Sequence, residues 1–308
     1  MTLDPELAPF LELPFPNNFD DIEWSRHEQS KRMETEEGAR EVSGVTWADQ
    51  LINVEPHNSL RVRMYRPVTS QGLLGAVLFF HGGAFVFGDL ESEHQRCLLY
   101  CQEAPCVVVS VEYSLAPEHP FPAAFNQGVG TLKWIHANAN TLGVDATRIA
   151  VCGVSAGGAL ASSVALSARD TDDTPVCAQL LIYPVTDSHA DTPSMNEFFN
   201  SGPFDGEMSQ KMWSLYVSPT DAENPYASIA RATNLRNIPP TYIVTAHIDP
   251  LRDEGLDYAL ALIDAGNDVE LHHFPGTYHG FDGIAPLARV SQRALQEQCG
   301  FLSNQFMR

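Results

Sequence analysis

The chain has 308 residues, 44% of them hydrophobic and 19% charged, which is enough to bury a large core and too apolar for intrinsic disorder. Eighteen Lys and Arg against 39 Asp and Glu give a formal charge of −21, which repels phosphate backbones and anionic lipid headgroups. No nucleic-acid partner and no membrane partner is expected.

Residues 1–42 are acidic and rich in Pro, then in helix-forming Glu and Arg. They lack the basic start and apolar stretch of a secretory signal. No apolar run anywhere reaches ~18 residues, the length that spans a bilayer. From about residue 43 short β-branched runs alternate with helix-length stretches. Strands are predicted at 60–66 (LRVRMYR), 75–81 (GAVLFFH), 106–113 (CVVVSVEY), 148–154 (RIAVCGV), 179–185 (QLLIYPV), 241–247 (TYIVTAH) and 269–274 (VELHHF). Helices are predicted at 92–104, 122–140, 156–169, 251–265 and 287–306. Several strands are continuously apolar, as a strand covered on both faces must be, so a mostly parallel sheet in a three-layer α/β domain follows. The stretch at about 186–226 breaks this rhythm, and an insertion longer than ~15 residues in a compact domain is usually a lid or binding element. The expected organisation is an N-terminal cap segment (1–42) and a catalytic domain (43–308) with a cap insertion at about 186–226. Cys97, Cys101, Cys106, Cys152, Cys177 and Cys299 show no CxxC pairing and no histidine at zinc spacing. They read as reduced core thiols of a cytoplasmic protein with no metal site.

Taken in chain order, the first chemical motif is His81, Gly82, Gly83 and Ala84 at the end of a predicted strand. A serine nucleophile attacking an ester creates a tetrahedral oxyanion, which needs preorganised backbone N–H groups flanked by small side chains. Gly83 and Ala84 can supply two. The second motif, Gly153-Val154-Ser155-Ala156-Gly157, joins the strand RIAVCGV to the helix GALASSVALSA. This is a GxSxG elbow in its proper strand-turn-helix setting, with Ser155 as nucleophile and Ala156 as a third oxyanion donor. By composition the two motifs coincide by chance on the order of once in two hundred sequences. A triad of this order then needs an acid and a base downstream. Asp249 leaves one strand before Pro250, though Asp at that place is also a helix-capping signal, and Asp253 is a rival. His279 follows a later strand, with His272, His273 and His247 as competitors. Carboxyl ends of strands are where active sites assemble in open parallel sheets.

The segments HGGAFVFGD, VEYSLAPEHPFPAAFNQ, RIAVCGVSAGGALA, DPLRDEG and FPGTYHGF, taken in order over roughly residues 55 to 290, resemble the hormone-sensitive-lipase-like (family IV) α/β-hydrolases. The resemblance implies an α/β-hydrolase fold, with Ser155 as nucleophile, His279 as base and then acid, and Asp249 as the carboxylate that holds the imidazole. It implies oxyanion donors from Gly83, Ala84 and Ala156, and a helical cap from the N-terminal and 186–226 segments. His81 and Glu118 would buttress the oxyanion loop. Three departures stand out: Ala84 replaces the usual third glycine, Val154 an acidic or hydroxyl residue, and Ser114 an arginine. Loss of a polar group at the last two places suggests a coupled change.

The function expected is hydrolysis of small esters, acetyl to hexanoyl or aryl, through an acyl-enzyme and without metal or organic cofactor. Phe85, Phe204 and Met208 are candidate substrate-binding residues, and Phe198, Phe199 and Trp213 are further candidates for the pocket wall. An amidase or aryl-formamidase with the same triad, or a non-catalytic hydrolase-fold binding protein, are the alternatives. The last strand and helix, at a sheet edge, offer a surface for a homodimer. If the charge of −21 strains the fold by self-repulsion, screening relieves it, and the melting temperature rises from low salt to molar NaCl. A flat melting temperature over that range removes the idea.

Overall fold

Apolar runs without polar alternation need cover on both faces, and the centre of the molecule is built from them. The computed structural model describes residues 2–12, 17–35, 43–55, 59–69 and 72–307. Within these residues eight strands form one sheet: β1 (Val45–Ile52), β2 (Leu60–Pro67), β3 (Leu74–Phe80), β4 (Cys106–Val111), β5 (Val144–Val154), β6 (Ala178–Ile182), β7 (Thr241–Ile248) and β8 (Val269–Tyr278). Across the sheet they run β1, β2, β4, β3, β5, β6, β7, β8, with β1–β2 and β2–β4 antiparallel and the other pairings parallel. The mostly parallel sheet expected from the sequence is therefore present.

The helices are α1 (Ile22–Thr35), α2 (His94–Glu103), α3 (Ala123–Leu142), α4 (Ala156–Thr171), α5 (Pro193–Glu197), α6 (Gly206–Tyr216), α7 (Arg252–Asp264), α8 (Phe281–Ile284) and α9 (Arg289–Phe306). Alternate residues of β3 sort to two apolar layers. Ala76, Leu78 and Phe80 pack with α3, α4 and α7, whereas Val77 and Phe79 pack with α2 and α9. Every residue of α4 from Ala156 to Ala168 is buried, which explains its run of Ala, Gly and Ser: only small side chains let a helix lie so close to a sheet. All six cysteines are free, and five are buried, with Cys177 half-buried.

Several strand limits differ from those predicted. Strand β6 stops at Ile182, three residues early, while β5 begins at Val144 and β8 continues to Tyr278, so that His279 follows its strand directly. Strand β1 is absent from the strands that the sequence predicts. Six consecutive side chains of it are exposed, so no apolar alternation marks it, and backbone pairing with β2 defines it.

The insertion between β6 and β7 holds α5 and α6. The N-terminal segment divides into two parts. Residues 2–12 lie along β8, with the Asp4 N–H donating to Gly276 O at 2.9 Å and Leu7 fully buried. The second part, leading into α1, sets Phe19 edge-on against Phe87 and Asp20 beside Lys211 of α6. Residues 1, 13–16 and 36–42 of the expected cap segment lie outside the described residues.

Candidate active site

The turn between β5 and α4 consists of Ser155 alone, at φ 55° and ψ −117°. A side-chain-bearing residue held there costs on the order of 1–3 kcal/mol, so the surroundings must impose it. They do so by contact: a Cβ on Gly153 would fall 1.9 Å from the Gly157 carbonyl oxygen, and one on Gly157 would fall 2.2 Å from Phe80 O. Helix, strand and the end of β3 thus meet at a distance only glycine allows. The Ser155 N–H donates to Ile182 O at 2.9 Å, and Val185 N–H donates to Ser155 O at 3.2 Å, which pins the elbow to the end of β6.

The structure brings Ser155, His279 and Asp249 together. Ser155 Oγ lies 2.9 Å from His279 Nε2, and His279 Nδ1 lies 2.8 Å from Asp249 Oδ2. A carboxylate only accepts, so Nδ1–H donates to Asp249 and Nε2 is left to receive the serine proton. Asp249 is fully buried, and its other oxygen accepts from Leu251 N–H at 2.9 Å; the N-cap position of α7 falls to Leu251, so Asp249 is not the helix cap its sequence setting also suggests. The rivals lie elsewhere. Asp253 accepts from Ser194 N–H and Arg252 Nε–H, tying α5 to α7. His272 pairs with Glu297, His273 with Thr245, and His247 accepts from Gly276 N–H.

Beside this group, Gly83 O accepts from the N–H groups of Val86 (3.0 Å) and Phe87 (2.7 Å), forming a tight turn. Ala84 (φ 55°) and Phe85 (φ 59°) both take the left-handed conformation there. The N–H groups of Gly83, Ala84 and Ala156 have no acceptor among the described residues and remain available to an oxyanion. His81 stacks on Tyr113 with ring centroids 4.2 Å apart, while Tyr113 Oη–H donates to His81 O and His81 Nδ1–H to Gly82 O. Burial pushes its imidazole down to about 4, so it is neutral at ordinary pH.

Glu118 does not itself touch this turn. It is exposed and accepts from both terminal nitrogens of Arg26, and Arg26, reaching over from α1, donates to Val86 O and Ala116 O at 2.8 Å each. The buttress is therefore Arg26, with Glu118 orienting it. At the two other departures, Ser114 exchanges two hydrogen bonds with Gln127, and Val154 is buried in an apolar layer.

Of the expected pocket residues, Phe204 lies on His279 with ring centroids 5.0 Å apart. Phe85 stacks face to face on Tyr216 at 3.6 Å and contacts Trp213 at 5.9 Å. Met208 is half-buried at the edge of the core, and Phe198 lies under the Arg252 guanidinium. Cover is nearly complete, with Ser155 5% and His279 8% exposed.

Sequence reasoning missed what holds His279 from behind. Tyr183 sets its ring edge-on to the imidazole at 4.7 Å and donates from its hydroxyl to Asp282 at 2.7 Å. Asp282 also receives two hydrogen bonds from Arg96 and one from Gln298. Burial opposes the Asp282 charge, but the Arg96 guanidinium and the donors from Tyr183 and Gln298 outweigh it, and its carboxyl titrates below the usual range. Among the described residues no group of His, Cys, Asp and Glu is placed to hold a metal ion, and no helix is long and apolar enough to cross a membrane.

A family model for the alpha/beta hydrolase fold matches residues 77–283. The chain is 39% identical over 243 residues to esterase LipI of Mycobacterium tuberculosis, covering 78% of this chain and 76% of the relative. It is 32% identical over 308 residues to an ethyl acetate hydrolase of Pseudomonas putida, covering 96% of each. Among solved structures, a bacterial heroin esterase superposes with a TM-score of 0.94 at 36% identity, over 99% of this chain and 98% of that one.

Two outcomes follow from the geometry. Asp282→Asn leaves the buried Arg96 with Glu93 as its remaining carboxylate partner, and is expected to cost about 3 kcal/mol in urea unfolding, the lower end for a broken buried pair. Since the folded carboxyl titrates below its ordinary value, that contribution is full above the ordinary carboxylate range and is lost only as the pH falls below about 4. Gly157→Ala drives a methyl into the Phe80 carbonyl and is expected to abolish activity together with much of the stability, read as lost turnover and a lowered melting temperature.

Proposed function

The chain belongs to the α/β-hydrolase family, in its hormone-sensitive-lipase-like branch, and we infer from that membership and from the site that it is a carboxylesterase working through Ser155, His279 and Asp249 on short acyl esters. The observation that carries the mechanism is the unbroken run of two hydrogen bonds from Ser155 Oγ through the imidazole to a fully buried carboxylate. In the first half-reaction His279 Nε2 takes the serine proton as Oγ bonds to the ester carbonyl carbon. The negative charge that develops on the carbonyl oxygen is received by the N–H groups of Gly83, Ala84 and Ala156. The tetrahedral adduct collapses, the C–O bond to the alcohol breaks, and His279 returns the proton to the leaving oxygen. Water then gives a proton to His279 and its oxygen attacks the acyl carbon, releasing the acid and restoring Ser155. Asp249 keeps the imidazole in the right tautomer and stabilises its protonated form at both stages.

The preference for small esters is supported by the cover over the nucleophile and by the ethyl acetate hydrolase among the relatives. A chain of two to about six acyl carbons fits beneath α6 and Phe204 more readily than a long one. The test is initial-rate hydrolysis of p-nitrophenyl acetate, butyrate, octanoate and dodecanoate by the protein and by Ser155→Ala. Short esters should turn over fastest, and the alanine variant should lose at least ~10⁴ in rate. A variant that keeps its activity overturns the nucleophile, and a dodecanoate that outpaces butyrate overturns the size preference. Activity should also fall in acid, because a protonated imidazole cannot act as a base.

A further inference from the structure

We propose that the inner face of α6 carries a polar subsite in which Trp213 Nε1–H and the Ser209 hydroxyl bind an acceptor oxygen of the substrate other than those of the scissile ester. This rests on the esterase reading and names the substrate class for it: small esters whose acyl or alcohol chain contains an additional ether, carbonyl or ester oxygen.

Ser209, Trp213 and Tyr216 fall at i, i+4 and i+7 and therefore share one stripe of α6, and all three are buried. The two ends of this stripe are placed by ring contacts. Phe204, just before the helix, lies on His279, whereas Trp213 and Tyr216 pack on Phe85, the residue after Ala84. The stripe between them thus spans the ground from the imidazole to the oxyanion turn, where a bound ester must lie.

On this stripe Ser209 Oγ and Trp213 Nε1 have no hydrogen-bond partner among the described residues, although Ser209 is fully buried and Trp213 is 4% exposed. Buried polar groups without partners are costly and uncommon. The other orphaned atoms belong to side chains already held through a second polar atom: His81 through Nδ1, Gln179 through Nε2, Arg231 through its terminal nitrogens, Glu254 through Oε1. An indole and a hydroxyl have no second polar atom, so the side chains of Trp213 and Ser209 are wholly unpartnered among the described residues, one helical turn apart on the stripe that packs on Phe85. An indole N–H can only donate and a hydroxyl can donate, so the group that satisfies both is an acceptor oxygen.

The experiment compares isosteric pairs. On the acyl side these are p-nitrophenyl methoxyacetate and p-nitrophenyl butyrate; on the alcohol side, 2-methoxyethyl butyrate and n-butyl butyrate. The quantity read is the ratio of kcat/KM for the oxygen-bearing ester to that for its all-carbon partner, in the wild-type protein, Trp213→Phe and Ser209→Ala. Intrinsic reactivity cancels when the ratios are compared between proteins. In one of the two arms the ratio should fall about tenfold in Trp213→Phe and severalfold in Ser209→Ala, as expected for loss of a hydrogen bond, and that arm identifies the chain that bears the oxygen. Unchanged ratios in both arms overturn the subsite, as does an equal loss on both members of each pair, which is what a packing role would give. If Trp213→Phe does not fold, Ser209→Ala decides alone. Hydrolysis of butyrate esters with flat ratios overturns only the subsite, whereas a wild-type protein inert toward every ester overturns the esterase reading and the subsite together.

Discussion

The close approach of three backbones at the β5–α4 turn is the constraint on which the rest of the molecule depends. Gly153, Gly157 and the carbonyls of Phe80 and His81 leave no room for a Cβ, and Ser155 is driven into a conformation that lifts its hydroxyl out of the sheet. The same contact places the start of α4 beside the end of β3 and the turn that follows it. The small side chains along α4 are a condition of that approach rather than an incidental composition.

Around this point strain and polarity are balanced by rigid neighbours. Ala84 and Phe85 both hold left-handed backbone, each at a cost on the order of 1–2 kcal/mol, and the turn is kept by Arg26 from one side and by Phe85 stacked on Tyr216 from another. His279 is treated in the same way. Its forward nitrogen faces Ser155, its rear nitrogen faces a carboxylate shut away from water, and Tyr183 and the Arg96–Asp282 pair fix the chain just beyond it. Two elements that look peripheral in the sequence, α1 and α6, thus touch the centre directly.

Much of this was legible in the sequence, for physical reasons. Strands β3 to β7 are buried on both faces over most of their length and show in the sequence as apolar runs, and the glycines at 153 and 157 are required at fixed spacing around Ser155. Asp249 and His279 stood at ends of predicted strands, where the structure gathers them. Strand β1 was silent because its side chains face solvent. Tyr183, Arg96 and Asp282 were silent because a buried ion pair between residues 186 positions apart leaves no periodic trace in either stretch. Arg26 sits in an acidic segment that offered no motif, and the role expected of Glu118 passed to it. The alanine at 84 is visible in the sequence as a departure, but its conformation, shared with Phe85, depends on a turn closed by tertiary contacts.

The separation of the contacting residues bears on how the protein is made. His279 and Ser155 lie 124 positions apart in the chain, and the pair that braces the His279 loop lies further apart still. Contacts of such high sequence separation form only after long loops have closed, and a parallel sheet postpones them further. A partly folded chain, however rich in helix, has no assembled centre. Recovery of turnover during refolding therefore reports completion of the whole topology, and it should trail the recovery of secondary structure seen by far-ultraviolet circular dichroism.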